Sequence, residues 1–221
     1  NLSYTYYNGS DRAIGNNQPI AVGQRDAQTN YFSFKAPYTG YLRVQGDTTA
    51  RNHKVILCDA SKRAVSGASY LGNDPTYGVA KGKTYYIRVD ARFNSKGAYV
   101  LNAANSKISE KSGKTKKKAV TIKKKKTKKG IIESGKNSKQ ADWYKFKLTS
   151  KKKVNITVTT GSNESLKIIL YKGGKRIKTV TARGNSTGYI KSIGKWTKGT
   201  YYIKVQRGTS TSSGYYTIKW K

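Results

Sequence analysis

Apolar side chains in this chain recur at every second position within short segments. In the stretch 84–90, Tyr85, Ile87 and Val89 alternate with more polar neighbours. Successive side chains of a β-strand point to opposite faces, so this period of two predicts strands with one buried face. The same alternation predicts inward side chains at Phe32, Phe34, Tyr144, Phe146, Leu148, Val154, Ile156, Val158, Tyr216, Ile218 and Trp220, and outward ones at Lys145, Lys147, Lys204 and Lys219.

Turn signals separate the predicted strands. Examples are Gly173-Gly174 and the Asn-Ser-Lys-Gly stretch at 94–97. Short strands at a spacing of roughly 8 to 12 residues, each with one apolar face, are typical of a β-sandwich. The 18 Tyr and 22 Gly residues fit short strands joined by turns. We therefore predict an all-β fold of antiparallel β-sandwiches.

The chain contains a collinear internal repeat. The block 30–35 matches 142–147 at a spacing of 112 residues, and three further blocks follow in the same order. A period near 110 residues has the size of a domain and is too long for a solenoid repeat. We predict two tandem domains, residues 1–105 and 106–221, with the boundary between about 105 and 116. The three further pairs of blocks are 54–59 with 167–172, 81–89 with 198–205, and 97–101 with 214–218.

Positive charge dominates the sequence and is concentrated in the second copy. The chain has 45 Lys and Arg residues against 10 Asp and Glu, a formal charge of +35. Residues 1–105 hold 13 basic and 6 acidic side chains, whereas residues 106–221 hold 32 and 4. Such a field concentrates polyanions near the surface, and salt screens it strongly. Nucleic acid, teichoic acid, anionic glycans and anionic lipid are all compatible partners.

Cysteine use and hydropathy give three further expectations. The single cysteine, Cys58, cannot form an internal disulfide and falls in an apolar run, which predicts a small buried thiol. No run approaches the roughly 18 to 20 apolar residues of a membrane span. The sequence has no Met, even at position 1, which suggests a processed or excised segment whose signal peptide lies outside this numbering.

Four motifs in the second copy resemble the bacterial pre-peptidase C-terminal domain family. They are Ala-Asp-Trp-Tyr-Lys-Phe at 141–146, Ile-Ile-Leu-Tyr-Lys-Gly-Gly-Lys at 168–175, Lys-Gly-Thr-Tyr-Tyr-Ile-Lys-Val at 198–205 and Ser-Gly-Tyr-Tyr-Thr-Ile at 213–218. The first copy fits less closely, and together the two copies cover nearly the whole chain. The resemblance implies jelly-roll-like sandwiches, related to the collagen-binding domains of clostridial collagenases.

The resemblance also implies function: an exported, non-catalytic module of a bacterial secreted or surface protein. Collagen-binding members carry exposed aromatics where this chain has Asp90, Arg92 and Gly67, which counts against collagen. Some members bind calcium through acidic residues that lead into the domain. Here those segments offer Asp11 and Asp26 in the first copy, and lysines with Glu133 in the second. We therefore predict no cofactor and no metal site.

A lysine-rich segment, residues 116–129, has nine lysines in fourteen positions. Composition alone favours a disordered basic linker. The repeat favours a strand, because 119–122 aligns with 12–14, so that the lysines lie on an edge strand or its turn. They are then either a solvated edge that blocks aggregation or a polyanion site. The lysines are Lys116, Lys117, Lys118, Lys123, Lys124, Lys125, Lys126, Lys128 and Lys129.

Outward tyrosines with nearby cations form a second candidate surface. Aromatic rings beside ammonium or guanidinium groups can stack on sugars or bases. Exposed tyrosine is also simply a good strand former, so a purely structural role is the alternative. The candidate residues are Tyr86 with Arg88, Tyr202 with Lys204, and Tyr215 with Lys219.

No catalytic motif is present in the sequence. The only histidine, His53, has no ligand or triad partner at a suitable spacing and is predicted to lie in a surface loop. The ten carboxylates are scattered without a paired motif, and no phosphate-binding loop or nucleophile elbow occurs. We expect a binding or display protein and no enzyme.

Three functional hypotheses follow from these patterns. The first is a bacterial secreted or cell-surface module that binds an anionic polysaccharide, teichoic acid or extracellular matrix through lysine rows. The second is a cationic spacer or C-terminal appendage of a larger exported protein, such as a peptidase, without a specific ligand. The third and weakest is nucleic-acid binding, because a charge of +35 adsorbs DNA non-specifically while no recognition motif supports it.

Overall fold

The computed structural model describes residues 4–6, 11–24, 28–47, 53–91, 97–135, 140–162 and 164–221. The chain divides into two compact units. The first unit is Asn1–Lys107 with Glu133–Gly135, and the second is Ile108–Ile132 with Lys136–Lys221. No helix in the described part of the chain is long and apolar enough to cross a membrane.

The first unit contains two five-stranded sheets with the orders β1-β3-β10-β5-β8 and β2-β4-β9-β6-β7. The edge strands β1 and β2 run parallel to their neighbours, and the other pairs are antiparallel. The strands are β1 (Tyr4–Tyr6), β2 (Arg12–Ala13), β3 (Ile20–Gln24), β4 (Thr29–Lys35), β5 (Gly40–Gly46), β6 (Lys54–Cys58), β7 (Ser69–Tyr70), β8 (Thr76–Val79), β9 (Thr84–Asp90) and β10 (Gly97–Lys107).

The second unit contains a five-stranded sheet, β11-β13-β18-β15-β16, and a four-stranded sheet, β12-β19-β14-β17. Among the described strands of this unit, β11 alone pairs in parallel, with β13. The strands are β11 (Val120–Thr121), β12 (Thr127–Ile132), β13 (Ala141–Leu148), β14 (Asn155–Thr160), β15 (Leu166–Lys172), β16 (Lys175–Ala182), β17 (Thr187–Lys191), β18 (Gly199–Arg207) and β19 (Gly214–Trp220).

The two units repeat one strand order. From edge to edge of the sheets, β2-β4-β9-β6-β7 of the first unit corresponds to β11-β13-β18-β15-β16 of the second, and β3-β10-β5-β8 corresponds to β12-β19-β14-β17. β1 is an additional strand of the first unit. The prediction of an all-β fold built from antiparallel sandwiches is confirmed.

The core of each unit lies between its two sheets, and the period-two pattern placed it correctly. The inward residues predicted from alternation are buried, whereas Lys145, Lys147, Lys204 and Lys219 are not. In the second unit the ring of Phe146 stacks on Tyr201 and Trp220 at centroid distances of 5.3 and 4.6 Å. These rings bury a large apolar area and hold the two sheets together.

Two single-residue predictions have different outcomes. Cys58 is a buried free thiol, as predicted, and burial raises its pKa above the ordinary value. The prediction that His53 lies in a surface loop is wrong, because its side chain is only 6% exposed. The imidazole packs on the ring of Tyr99 at 4.6 Å. His53 immediately precedes β6, and the residue that covers it, Tyr99, lies on β10, 46 positions further along the chain.

Candidate functional site

The outer face of the β11-β13-β18-β15-β16 sheet carries a group of aromatic and cationic side chains. Trp143 of β13 is in register with Lys204 of β18. Two residues further along β13, on the same face, Lys145 lies opposite Tyr202 of β18. Tyr202 in turn lies opposite Tyr171 of β15. Directly opposed residues in antiparallel strands have Cβ atoms about 4.5–5.5 Å apart, so these side chains form one surface.

Ammonium groups lie over the aromatic rings of this surface. Trp143 and Tyr171 are in tilted ring contact at 5.5 Å. The Lys204 ammonium lies 5.7 Å from the Trp143 ring centroid. Lys116, from the turn before β11, places its ammonium 5.4 Å from Tyr171 and 5.0 Å from Tyr202. We call this surface the cationic aromatic face; it consists of Trp143, Tyr171, Tyr202, Lys116, Lys145 and Lys204.

The charges of this face are not neutralised by nearby carboxylates. Within the described residues, Lys116, Lys145 and Lys204 form no ion pair with Asp or Glu. Ammonium–aromatic contacts leave the positive charge uncompensated, because the ring contributes a quadrupole and no net charge. The face can therefore attract an anion, offer N–H donors to it, and pack apolar surface beside it.

The corresponding face of the first unit differs in its charge balance. Lys62 places its ammonium over Tyr31 and Tyr86, at 4.8 and 5.3 Å, much as Lys116 does in the second unit. There, however, the same ammonium pairs with Asp11 at 2.8 Å. The predicted residue Arg88 likewise pairs with Asp90 at 2.8 Å. The first unit thus has Tyr31 and Tyr86 at the positions of Trp143 and Tyr202, but Cys58 at that of Tyr171, and its Lys62 and Arg88 are paired with carboxylates.

Tyr215 and Lys219 do not join the cationic aromatic face. They project outward from β19, whose inward residues Tyr216 and Ile218 enter the same core as Ile203 of β18. Because the two sheets face each other across that core, the outward side chains of β18 and β19 point to opposite sides of the sandwich. Tyr202 and Tyr215 therefore cannot contact one flat ligand together. The Tyr215 ring lies against Gly161, where a Cβ atom would be only 1.9 Å from the ring.

The lysine-rich segment lies on two edge strands and the turns beside them, in the arrangement expected from the repeat. Lys116, Lys117 and Lys118 precede the edge strand β11, the stretch 123–126 forms the turn to β12, and Lys128 and Lys129 lie on the edge strand β12. Only Lys116 reaches the cationic aromatic face. The other eight are partly or fully exposed, which leaves both the solvated-edge role and the polyanion role as proposals.

A buried polar network lies elsewhere in the second unit, on the core side of β13. Asp142 is fully buried, and its Oδ2 accepts a 2.7 Å hydrogen bond from the Tyr216 hydroxyl. Ser112 Oγ lies 2.7 Å from Glu110 Oε1 and 3.0 Å from Asp142 Oδ1. The Lys114 ammonium bridges the two carboxylates, at 2.8 Å from Glu110 and 3.0 Å from Asp142.

The network perturbs the titration of both carboxylates. Burial and the neighbouring Glu110 raise the pKa of Asp142 to about 7. Burial also opposes ionisation of Glu110, but hydrogen bonds from Asp142 and Lys114 outweigh it and lower the pKa of Glu110. The sequence analysis found no paired carboxylates, because these two are 32 positions apart. Asp142 has no exposed surface, and the Glu110 side chain is 16% exposed.

The acidic residues that the structure describes do not fit a calcium site. The gap between Glu110 and Asp142, where a divalent cation would need several oxygen ligands, is filled by the Lys114 ammonium. Of the other candidates, Asp11 pairs with Lys62, and Glu133 is buried. Asp26, like Arg92, lies outside the described residues. No group of three or more His, Cys, Asp or Glu side chains suited to a metal occurs in the described part of the chain.

Comparison with protein families finds a match within the second unit. Residues 140–207 match the family model of the bacterial pre-peptidase C-terminal domain. The resemblance predicted from the sequence is confirmed for this segment. The family consists of non-catalytic modules. A comparison with curated proteins found no match.

Solved structures show a weaker likeness. The pre-peptidase C-terminal domain of a Bacillus anthracis collagenase is 22% identical over 47% of this chain and 94% of its own, with a TM-score of 0.38. The secreted serine protease VesC from Vibrio cholerae is 9% identical over 94% of this chain and 48% of its own, with a TM-score of 0.32. The M60 catalytic domain with two CBM51 domains from Clostridium perfringens ZmpB is 7% identical over 90% and 33%, with a TM-score of 0.28.

Sequence reasoning found part of the cationic aromatic face. It selected Tyr202, Lys204 and Lys116, but placed them in separate candidate sites. It missed Trp143 and Tyr171 as site residues. Their outward position was readable from the alternation within 141–148 and 166–172, but their contact depends on the register of β13, β18 and β15.

Proposed function

We propose that this chain is a non-catalytic binding module of an exported bacterial protein, and that the cationic aromatic face of the second unit binds an anionic polysaccharide. The observation that carries the proposal is the set of uncompensated ammonium groups around Trp143, Tyr171 and Tyr202 on a rigid sheet. The family match at 140–207 supports a module without catalysis. The export of pre-peptidase C-terminal domains supports the location.

Energetics favour exchange of the ring-bound ammonium onto a ligand. An exposed ammonium–aromatic contact contributes about 0.5–1 kcal/mol. A hydrogen bond to a charged group contributes about 1.5–3 kcal/mol. The Lys116 ammonium also donates to the neutral carbonyl of Gly173. A net negative charge attracts an ammonium more strongly than a neutral carbonyl does, so an arriving anion draws Lys116 away from Gly173 and from the two rings. The uncovered rings then become available to the apolar face of a sugar.

The alternative is a cationic spacer that is retained at the cell envelope by charge alone. It is favoured by the exposure of the lysines at 123–126, which touch none of the aromatic residues of the face. Under this alternative every polyanion, DNA included, binds according to charge density and salt, without regard to the aromatic rings.

A pair of tyrosine variants separates the two functions. Replacing Tyr171 and Tyr202 by Ser removes two rings from the face, whereas Tyr215→Ser removes one half-buried ring from the opposite side of the sandwich. With about 1–3 kcal/mol for each stacked ring, the double variant should bind dextran sulfate at least about tenfold more weakly at physiological salt. Isothermal titration calorimetry of the full chain measures this.

The control variant Tyr215→Ser should bind dextran sulfate like the parent. Both variants should also keep the parent's affinity for double-stranded DNA, which the lysines alone adsorb. Equal affinities of the parent and the Tyr171/Tyr202 variant for dextran sulfate would contradict the polysaccharide proposal and leave the cationic spacer.

A further inference from the structure

A cleft opens beside the cationic aromatic face where the edge strand β11 stops. β11 pairs with β13 only at Val120 with Tyr144 and Thr121 with Lys145. The chain then turns away, so nothing in the described structure pairs with 146–148 on that side of β13. The space left has a volume of about 380 Å³ and is lined by Thr121, Lys145, Phe146, Lys147, Thr200 and Tyr202.

The lining of this cleft is suited to a compact anion attached to a ring. Lys145 and Lys147 lie two positions apart on one strand, so both project from the same face. Neither forms an ion pair among the described residues. Thr121 and Thr200 add hydroxyl groups, and Tyr202 adds an aromatic wall. A volume of this size falls within the range of ligand pockets, about 300–1,000 Å³.

The first unit has the same backbone frame without the full set of donors. By strand register, Thr121 corresponds to Ala13, and Lys145 corresponds to Ser33. Lys147, Thr200 and Tyr202 have identical counterparts in Lys35, Thr84 and Tyr86. The second copy therefore has the Lys145 ammonium where the first has the Ser33 hydroxyl, and the Thr121 hydroxyl where the first has the Ala13 methyl group.

Resting on the function proposed above, we propose that this cleft binds a carboxylate or sulfate substituent carried directly on a pyranose ring of the polysaccharide. Lys145 and Tyr202 are cross-strand neighbours, so a bound anion lies within about one ring width of the aromatic wall. In a uronic acid or a sulfated sugar, the anionic group is attached to the sugar ring, so the anion can lie in the cleft while the ring packs on Tyr202. In a nucleic acid, ribose separates the base from the phosphate, and a polyglycerol phosphate has no ring to place on Tyr202.

The test replaces two cleft residues by the residues found at the corresponding positions of the first copy. The variant Thr121→Ala with Lys145→Ser keeps the fold, because the same residues occupy these positions in the first unit. The control Lys151→Ser removes one exposed lysine outside the cleft and so matches the change in charge. Binding of the full-length variants is measured by calorimetry at physiological salt, with dextran sulfate, hyaluronate and neutral dextran as probes.

The cleft variant should lose about tenfold or more in affinity for dextran sulfate, hyaluronate or both, because charge-assisted hydrogen bonds are lost. The dextran sulfate arm reports a sulfate ligand, and the hyaluronate arm reports a carboxylate ligand. The control should lose less than twofold. Neutral dextran should bind neither protein measurably.

Two results would overturn the cleft proposal. One is an equal loss in the cleft variant and the Lys151→Ser control, which would show bulk charge only. The other is unchanged binding in the cleft variant, together with weakened binding in the Tyr171/Tyr202 variant, which would leave the polysaccharide function intact and remove the cleft from it. If neither variant differs from the parent, both the cleft proposal and the polysaccharide function fail.

Discussion

Asp142 carries an ionisable carboxyl group where its counterpart in the first copy carries a neutral amide. The corresponding residue is Asn30, which is also fully buried and adjoins the hydroxyl of Tyr99, as Asp142 adjoins that of Tyr216. An amide at this position needs no counter-ion. The carboxylate of Asp142 instead requires Lys114, and it introduces a titration that the first unit lacks.

Replacing Asp142 by Asn should make the second unit less sensitive to pH. The pKa of Asp142 is raised to about 7 in the folded state, by burial first and Glu110 second, from an ordinary value of 3.8. Between these values the folded chain holds a proton that the unfolded chain has released. The stability of the second unit should therefore fall as the pH rises from about 4 to 7 and level off above that.

The pH dependence can be followed by tryptophan fluorescence in urea. Trp143, Trp196 and Trp220 are the three tryptophans of the chain and all lie in the second unit. Glu110, whose pKa is lowered, acts in the opposite direction, but only below its ordinary value of 4.5. The urea midpoint should fall between pH 5 and 7 in the parent and stay constant in Asp142→Asn. A parallel slope in both proteins would refute the assignment to Asp142.

Replacing Lys114 by Met should destabilise the second unit, because the ammonium offsets the negative charge that Glu110 and Asp142 share in a largely buried place. Breaking a buried pair costs about 3–5 kcal/mol. The Lys114 side chain is 55% exposed, so solvent reduces the expected loss to about 1–3 kcal/mol. Urea denaturation at pH 7 measures it. Lys111→Met, a neighbouring exposed lysine, should have almost no effect, and equal losses would show that the bridge contributes nothing.

At the scale of elements, the lysine-rich turn is held in place at both sides. Ile122 is buried, and its carbonyl accepts a 2.7 Å hydrogen bond from the indole nitrogen of Trp220. The backbone nitrogen of Lys125 donates to the carbonyl of Trp220 at 2.8 Å. The lysines of the stretch 123–126 therefore project from a fixed turn. The Cα atoms of these lysines therefore hold one position relative to the sheet, while the side chains extend into solvent.

Changing all four lysines at 123–126 to Gln should lower adsorption to every polyanion without loss of stability. Point charges position a polyanion but carry little specificity. The slope of log affinity against log salt should flatten by as much as about one for each lysine that contacts an anion. Binding to heparin, dextran sulfate and DNA over a salt series measures this. Selective loss of one polyanion would contradict a purely electrostatic role for the turn.

The elements that sequence reasoning could place are those set by local periodicity. Alternation assigned Tyr85, Phe146 and Ile218 to the core, and the repeat placed the lysine-rich segment on an edge. Alternation does not show which sheet a strand joins. It therefore could not show that Tyr202 and Tyr215 lie on opposite sides of the sandwich. His53 was misplaced for a related reason, because its burial comes from Tyr99 on a distant strand. The network of Glu110 and Asp142 also depends on long-range packing.

At the scale of the whole molecule, charge and its compensation differ between the copies. Residues 106–221 hold 32 basic and 4 acidic side chains, against 13 and 6 in residues 1–105. Two of the four acidic groups, Glu110 and Asp142, are bound to Lys114 and do not offset the cations of the cationic aromatic face. The two copies share a strand order, but the attraction for polyanions should belong to the second.

The most direct test of this account is a footprint of the bound polysaccharide. Amide chemical shifts of the isotope-labelled full chain are followed by NMR during titration with a dextran sulfate oligosaccharide at physiological salt. The account predicts shifts concentrated on β13, β15 and β18 around Trp143, Tyr171 and Tyr202, and small changes on β14 and β19. Shifts spread evenly over the exposed lysines of both units, or centred on Tyr215 and Lys219, would contradict it.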